Sequence, residues 1–345
     1  MNLDEKYMLR ALQLAKLGGL ATKSNPMVGA VIVLNKKIIG EGYHQKYGEA
    51  HAEVNAVNSV KDPSQLKDAT IYVTLEPCSH FGKTPPCADL LIKHQFKRVV
   101  IAQMDPFSEV SGRGIERLRN AKIQVDCGIL EAEAKELNKR FITFHTKRRP
   151  YITLKWAQTK DGFMDRDRSS KAETGINWIS QPETQLITHQ IRSTEQAILA
   201  GWKTIQNDNP SLTTRAFKGK NPLRIVIDPH LQAPKDATVF TDGSKTVVFN
   251  QLEDQEVGTV QYIKLTTIHP ESILAAIFDL NIQSVLIEGG ANTILSFIES
   301  GLWDEALVIT GQTTFKTGLR APSIAKTPVK TVQFGKDRLD YFRNI

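Results

Sequence analysis

Residues 74–87 read T-L-E-P-C-S-H-F-G-K-T-P-P-C, and upstream residues 51–53 read H-A-E. Together they offer one imidazole and two thiols, from His51, Cys78 and Cys87. That is three ligands for a tetrahedral zinc, with the fourth position left for water. Coordination lowers the pKa of such a water toward about 7, so hydroxide is available at neutral pH. Glu53 is not needed as a ligand, and from two residues past His51 its carboxylate can reach the same water and carry protons. The pattern predicts hydrolytic removal of an amino group from an sp² ring carbon. Each ligand falls near an expected helix start, where the positive dipole end favours thiolate. Eight residues separate the cysteines where the common pattern has two. This longer loop carries His80 and Lys83, which a position between two ligands brings to the substrate. A second reading makes His80 a fourth ligand and the zinc structural, but it leaves Glu53 without a task.

Outward from this motif the chain alternates between helical and strand patterns. A helix is expected over 4–17, with Met8, Ala11, Leu12 and Ala15 on one face, Asp4 as cap and Gly18-Gly19 as stop. A hairpin follows: residues 28–34, a turn at Asn35-Lys36-Lys37, and a second strand from Ile38. Helices are expected over 51–60 and 86–94, near Ile115 and from Glu131, and strands over 70–74, 99–102 and 122–125. Cys127 matches no motif and reads as a packed core thiol. The segment T-K-R-R-P at 146–150 marks a domain boundary, giving domains 1–146 and 147–345. Strands at 151–154, 224–227, 246–249 and 285–287, and a helix at 293–298, repeat the alternation. The fold class is α/β, in two layered domains.

Composition agrees. At 345 residues, 41% hydrophobic and 23% charged, the chain suits two globular domains. No apolar run approaches the roughly 18 residues that span a bilayer. Met1 to Arg10 lacks the apolar core of a signal peptide, so a cytoplasmic protein is expected. Three cysteines are an odd number and favour metal or redox chemistry over a disulfide framework. The net charge of +7 is scattered, as at Lys36-Lys37 and Lys147-Arg148-Arg149. It fits a solvated surface, a phosphorylated small molecule or nucleic acid, and alone decides nothing. Aromatics, at 7%, do not interleave with Lys or Arg as a single-strand nucleic-acid channel requires.

Two features stand out in the second half. Glu288-Gly289-Gly290 lies between a strand and a helix, where open N–H groups can take a phosphate or simply form a turn. Residues 204–215, T-I-Q-N-D-N-P-S-L-T-T-R, are dense in polar groups, and Arg215 can fork onto phosphate.

The H-A-E-V-N-A and P-C-S-H-F-G-K-T-P-P-C segments resemble the bifunctional deaminase/reductase family of riboflavin biosynthesis, and the likeness covers nearly the whole chain. The resemblance implies an N-terminal cytidine-deaminase-like α/β/α domain and a C-terminal dihydrofolate-reductase-like α/β domain. It implies deamination of 2,5-diamino-6-ribosylamino-4(3H)-pyrimidinone 5′-phosphate, then reduction of the ribosyl group to ribityl with NADPH. Zinc would be held by His51, Cys78 and Cys87, with Glu53 shuttling protons. Asn25, His44, His80 and Lys83 would contact the deaminase substrate. Gln158, Trp178, Thr204, Asp208, Gly290, Ala291, Asn292 and Thr293 would line the NADPH site. Arg192, Leu212, Arg215 and Glu288 would face the reductase substrate. The implied partner is a phosphorylated pyrimidine, not nucleic acid or membrane, and the implied assembly is a homo-oligomer. W-A-Q-T-K-D-G, E-G-G-A-N and V-I-T-G-Q-T-T-F-K-T-G depart from the family pattern. Three other readings stay open: a nucleic-acid or nucleoside base deaminase with a non-catalytic second domain, a zinc-stabilised sensor, and a deaminase whose second domain has become a scaffold.

Overall fold

The computed structural model describes residues 1–79, 85–106, 111–168 and 175–344. The chain forms two compact units, Met1–Arg148 and Arg149–Ile345.

The first unit opens with helix α1 (Leu3–Lys16), which buries Met8, Ala11, Leu12 and Ala15 as the helical spacing requires. Its cap differs from expectation. Asn2, not Asp4, caps the helix, in a reciprocal box with Glu5. Asp4 instead accepts two hydrogen bonds from Arg98, at 2.9 and 2.8 Å, and one from Tyr72 at 2.6 Å. Strands β1 (Gly29–Leu34) and β2 (Lys37–Tyr43) form the hairpin. Its turn is two residues rather than three: Leu34 pairs with Lys37, and Asn35 and Lys36 both have positive φ. That tight turn matches the twist of the strands.

Next come α2 (Ala52–Asn58), β3 (Thr70–Val73), α3 (Cys87–Lys93), β4 (Arg98–Ile101), α4 (Arg113–Asn120), β5 (Gln124–Cys127), α5 (Glu131–Leu137) and α6 (Lys139–Lys147). The helix expected from Glu131 is divided at Asn138, whose buried amide pairs with both the N–H and the C=O of Met27, each at 2.9 Å. The sheet order is β2-β1-β3-β4-β5, with β3, β4 and β5 parallel. Strand side chains alternate between faces. Ile32, Ile71, Val99 and Ile101 pack under α2, α3 and α4, whereas Val31, Tyr72 and Val100 pack under α1. This is an α/β/α sandwich. Cys127 ends the edge strand and is exposed, so it is not the core thiol expected.

In the second unit the strands are β6 (Tyr151–Gln158), β7 (Phe163–Asp165), β8 (Ala197–Gly201), β9 (Leu223–Ile227), β10 (Thr246–Asn250), β11 (Gln255–Val257), β12 (Val260–Lys264), β13 (Ser284–Ile287), β14 (Glu305–Thr310), β15 (Leu319–Arg320), β16 (Lys330–Phe334) and β17 (Asp337–Arg343). The helices are α7 (Pro182–Thr194), α8 (Trp202–Asp208), α9 (Thr238–Thr241), α10 (Pro270–Asp279) and α11 (Ala291–Glu299). Ten strands form one sheet, ordered β11-β12-β10-β9-β8-β13-β6-β14-β17-β16, with a parallel centre. Ile225, Val285 and Ile287 pack with Ile273, Ile277 and Ile294 of α10 and α11, and Ile198, Val226 and Leu286 form the opposite face. The helix expected at 293–298 begins at Ala291, directly after Gly290. Among the described residues no helix is long and apolar enough to cross a membrane.

Arg98 also binds Asp126, so it ties α1 to β4 and β5. Its hydrogen bonds hold the Asp4 carboxyl below the usual aspartate range, against the opposing effect of burial. A depressed folded pKa adds stability above the unfolded pKa and loses it as pH falls through the folded one. Asp4→Asn should therefore cost about 1 kcal/mol in urea denaturation at neutral pH. The difference between variant and wild type should vanish in acid below the aspartate range.

Candidate active sites

The first site forms where α2 and α3 begin. His51 is the N-cap residue of α2, Glu53 lies in its first turn, and Cys87 is the first residue of α3. Cys78 is not at a helix start. It lies in the loop after β3 and is aimed at one: the Cys87 N–H donates to its Sγ at 3.3 Å. The ligand atoms of His51, Cys78 and Cys87 all lie within 4.8 Å of one another. His51 Nδ1 is 3.3 Å from Cys87 Sγ and 3.6 Å from Cys78 Sγ. Two sulfurs and one nitrogen converging in this way fit zinc. Gly42 makes the arrangement possible. A Cβ on Gly42 would lie 2.3 Å from Ala56 N and 2.6 Å from Ala52 O, so only glycine lets α2 lie this close to β2.

The thiols divide unequally. Hydrogen bonds from Cys87, His51 and the Cys87 N–H lower Cys78 to about 4. Cys87, donating to Cys78 and buried, moves the other way. A cation among the three donors favours the second thiolate as well. Glu53 is buried, and burial together with the Cys78 thiolate pushes its carboxyl up to about 7.

Asn25 and His44 meet beside this cluster. The Asn25 amide donates to His44 Nε2 at 3.0 Å, and His44 Nδ1 donates to Ala50 O at 3.1 Å. The His44 ring stands edge-on to His51 with centroids 5.7 Å apart, and burial lowers its pKa. His80 and Lys83 lie outside the described residues. One residue that the motif reading passed over is Glu76. Its carboxylate accepts N–H bonds from Asp105, Gly112, Gly114 and Ile115 at 2.9–3.3 Å, so it pins the residue before Pro77-Cys78 to the start of α4. The signal was an acid directly before Pro-Cys, with Gly112 and Gly114 downstream.

The second site is a cleft at the carboxyl ends of the parallel strands, the usual place for a ligand on such a sheet. It has two lobes of about 410 and 600 Å³ that share Met164, Thr204, Asp208 and Glu288 as walls. The smaller lobe is lined by Trp178, Arg192, Leu212, Arg215 and Glu288, and the larger by Gly290, Ala291, Asn292 and Thr293. Gln158 lines neither. Its side chain accepts from Trp156 at 3.1 Å and donates to Thr310 at 3.4 Å. Arg192 makes a bidentate pair with Glu288 and also binds Thr213 O at 2.9 Å. Arg215 is exposed at the mouth and donates to Ser211 at 3.1 Å. Lys155, on β6, joins Arg192 and Glu288 on the wall of the smaller lobe. Burial lowers Lys155, with Glu288 opposing. Burial also works against the Glu288 carboxylate, but Arg192 and Lys155 outweigh it and hold its pKa down.

In the larger lobe Arg168 binds Asp208 at 2.8 Å and Asp165 at 2.6 Å. Gly289 is packed so that a Cβ there would lie 3.0 Å from Ala200 and 3.1 Å from Thr204, and Gly290 has φ +73°. The first N–H groups of α11 have no side-chain cap and open toward this lobe, which fits the phosphates of a dinucleotide.

Comparison with known proteins finds a family for each unit. The family of the cytidine and deoxycytidylate deaminase zinc-binding region matches residues 1–103, and the RibD C-terminal domain family matches residues 150–315. The riboflavin biosynthesis protein RibD of Aquifex aeolicus is 41% identical over 338 residues, covering 96% of this chain and 92% of that one. A Thermotoga maritima structure, described as a diaminohydroxyphosphoribosylaminopyrimidine deaminase/5-amino-6-(5-phosphoribosylamino)uracil reductase, superposes with a TM-score of 0.88. It is 36% identical and covers 99% of this chain and 98% of that one. Acinetobacter baumannii RibD gives a TM-score of 0.86 at 31% identity, with coverage of 99% and 98%. The class is thus a two-domain α/β enzyme, a zinc-dependent deaminase joined to an NADPH-using reductase. Within it, this chain belongs to the RibD family, the bifunctional deaminase/reductases of riboflavin biosynthesis.

Replacing one ligand should break the metal site without unfolding the sheet. Cys87→Ala should reduce bound zinc, measured by elemental analysis after dialysis, from about one per chain to near zero. The far-ultraviolet circular dichroism should be retained.

Proposed function

We propose that residues 1–146 deaminate diaminohydroxyphosphoribosylaminopyrimidine and that residues 147–345 reduce the resulting phosphoribosylaminouracil. The observation that carries this reading is the set of three ligand atoms within 4.8 Å of one another, with a buried carboxylate, Glu53, in the helix turn that His51 begins. His51, Cys78 and Cys87 hold zinc, which when bound supplies an acidified water at neutral pH. Glu53 takes a proton from the attacking water, passes it to the ring nitrogen, and protonates the leaving amine, so that water is consumed and ammonia released. Asn25 and His44 contact the pyrimidine, together with His80 and Lys83.

In the second half, Thr204, Asp208 and Gly290 to Thr293 hold NADPH, which supplies the hydride, and Trp178 flanks the nicotinamide. Arg192, Leu212, Arg215 and Glu288 bind and orient the phosphosugar. Lys155, beside Glu288, is placed to hold a proton for the nitrogen of the open-chain imine. Gln158, bonded to Trp156 and Thr310, does not contact NADPH directly. The protein acts as a cytoplasmic homo-oligomer on a small phosphorylated substrate rather than on nucleic acid. The scattered positive charge supports that choice, as does the absence of aromatic and basic interleaving.

The test is turnover by the zinc-loaded protein, with products followed by mass spectrometry. Ammonia should appear without NADPH, and a ribityl product only with it. Glu53→Ala should slow ammonia release by about 10²–10⁴-fold. The same variant should still reduce substrate supplied already deaminated. Ammonia release that survives Glu53→Ala would overturn the assignment of this residue.

A further inference from the structure

The larger lobe of the cleft contains two cations, Arg168 and Lys203. They differ in how they are paired. Arg168 is engaged by Asp165 and Asp208 and by the carbonyls of Asn207 and Gly175. Lys203 has no carboxylate partner among the described residues, and its side chain is exposed at the lobe. Its Nζ lies 5.6 Å from the ring centroid of the half-buried Trp202. Trp202 lines the same lobe.

Lys203 is also close to the dinucleotide end of the cleft. It is two residues past Gly201, where a Cβ would lie 2.8 Å from Thr293 Oγ1 in the first turn of α11. The uncapped N–H groups of that turn suffice for a pyrophosphate. The lobe then presents, beside that turn, an aromatic face and an unneutralised ammonium. A flat base can lie against the first, and a further phosphate can pair with the second. An adenosine carrying a 2′-phosphate has both features, and an adenosine without it has only one.

We propose that Lys203, with Trp202 beside it, recognises the 2′-phosphate and makes this reductase select NADPH over NADH. The inference rests on the assignment of the larger lobe to the nicotinamide cofactor. The carboxylates in the lobe sharpen the selection. Asp165 and Asp208 are occupied by Arg168, and Glu288 by Arg192, so none of the three draws Lys203 away.

Binding, not turnover, is the readout. NADP⁺, NAD⁺ and 2′,5′-ADP would be titrated calorimetrically into the full-length protein, its Lys203→Ala variant and its Lys203→Glu variant. Loss of one charge-assisted phosphate contact should weaken NADP⁺ and 2′,5′-ADP about tenfold while leaving NAD⁺ within about twofold. Lys203→Glu should weaken NADP⁺ further. Equal weakening of NADP⁺ and NAD⁺ would place Lys203 on the shared pyrophosphate and overturn the selectivity role. Unchanged binding of all three ligands would overturn it too. Wild-type protein that binds neither dinucleotide would overturn the cofactor assignment itself, a result distinct from either of these. The exposed position of Lys203 lets both variants fold, and ammonia release by the deaminase half checks that the variant protein is intact.

Discussion

A parallel pair of strands can be joined only by a connection that crosses back over the sheet, so successive strands end on the same edge. This constraint places both sites. In the first unit β3, β4 and β5 run parallel, and the loop leaving β3 carries Pro77-Cys78 to the start of α3. In the second, β8, β9 and β13 run parallel, and the segments leaving them carry Gly201, Pro229 and Glu288 to one cleft. Helices that begin at such an edge point their N–H groups into the same space. Thiolates gather there in one unit, and a phosphate-sized opening forms in the other.

The two units then treat buried carboxylates differently, and the difference follows from what each carboxylate is for. Glu76 is surrounded by four N–H groups and has no cation beside it in that set. Hydrogen bonds to a charged group are worth about 1.5–3 kcal/mol each, so Glu76 is a fixed anchor for the strand end that leads to Cys78. Glu288 is held instead by the side-chain fork of Arg192, with Lys155 nearby. A bidentate partner on a side chain can be shared with or exchanged for a ligand group, whereas backbone N–H groups cannot move aside. Glu53 has weaker support, from His51, a backbone N–H and the Cys87 thiol, and burial with the Cys78 thiolate outweighs it. It is buried against the thiols, which is the environment that brings a carboxyl toward neutral pH.

The legible parts of the sequence were those in which neighbouring residues do the chemistry. His51 and Glu53 share one helical turn, and Cys78 and Cys87 close one loop, so spacing alone indicated a metal cluster. Helices and strands followed from apolar periodicity to within a few residues. What spacing could not show was which long-range partner takes a side chain. Asp4 looked like a cap until Arg98, distant in sequence, claimed its carboxylate and left the cap to Asn2. The run from Glu131 looked like a single helix because Met27, the partner of Asn138, is more than a hundred residues away. Cys127 looked like a core thiol because it matched no motif, but β5 is the sheet edge and Cys127 is exposed. Lys155, Arg192, Leu212 and Glu288 converge only through the sheet, and without the family resemblance their common site had no local signature.

The same logic explains why the second half can depart from its family's pattern and keep its cleft. The departures lie largely in W-A-Q-T-K-D-G and V-I-T-G-Q-T-T-F-K-T-G, and these two segments are neighbours. β6 pairs with β14, Gln158 reaches Thr310, and the Lys160 N–H donates to Thr313 O. Asp161 accepts the N–H groups of Phe315 and Lys316, so its carboxylate closes a turn rather than facing a ligand. Changes on one segment are thus met by the other, at the carboxyl-end edge from which Lys155 and Ala157 of β6 line the smaller lobe. The third departure, E-G-G-A-N, retains both glycines, and a side chain at Gly289 would press on the side chains of Ala200 and Thr204, which would have to give by a few tenths of an ångström. Substitution is easier where two strands can adjust together and tighter where a glycine packs against the side chains behind the wall of the cleft.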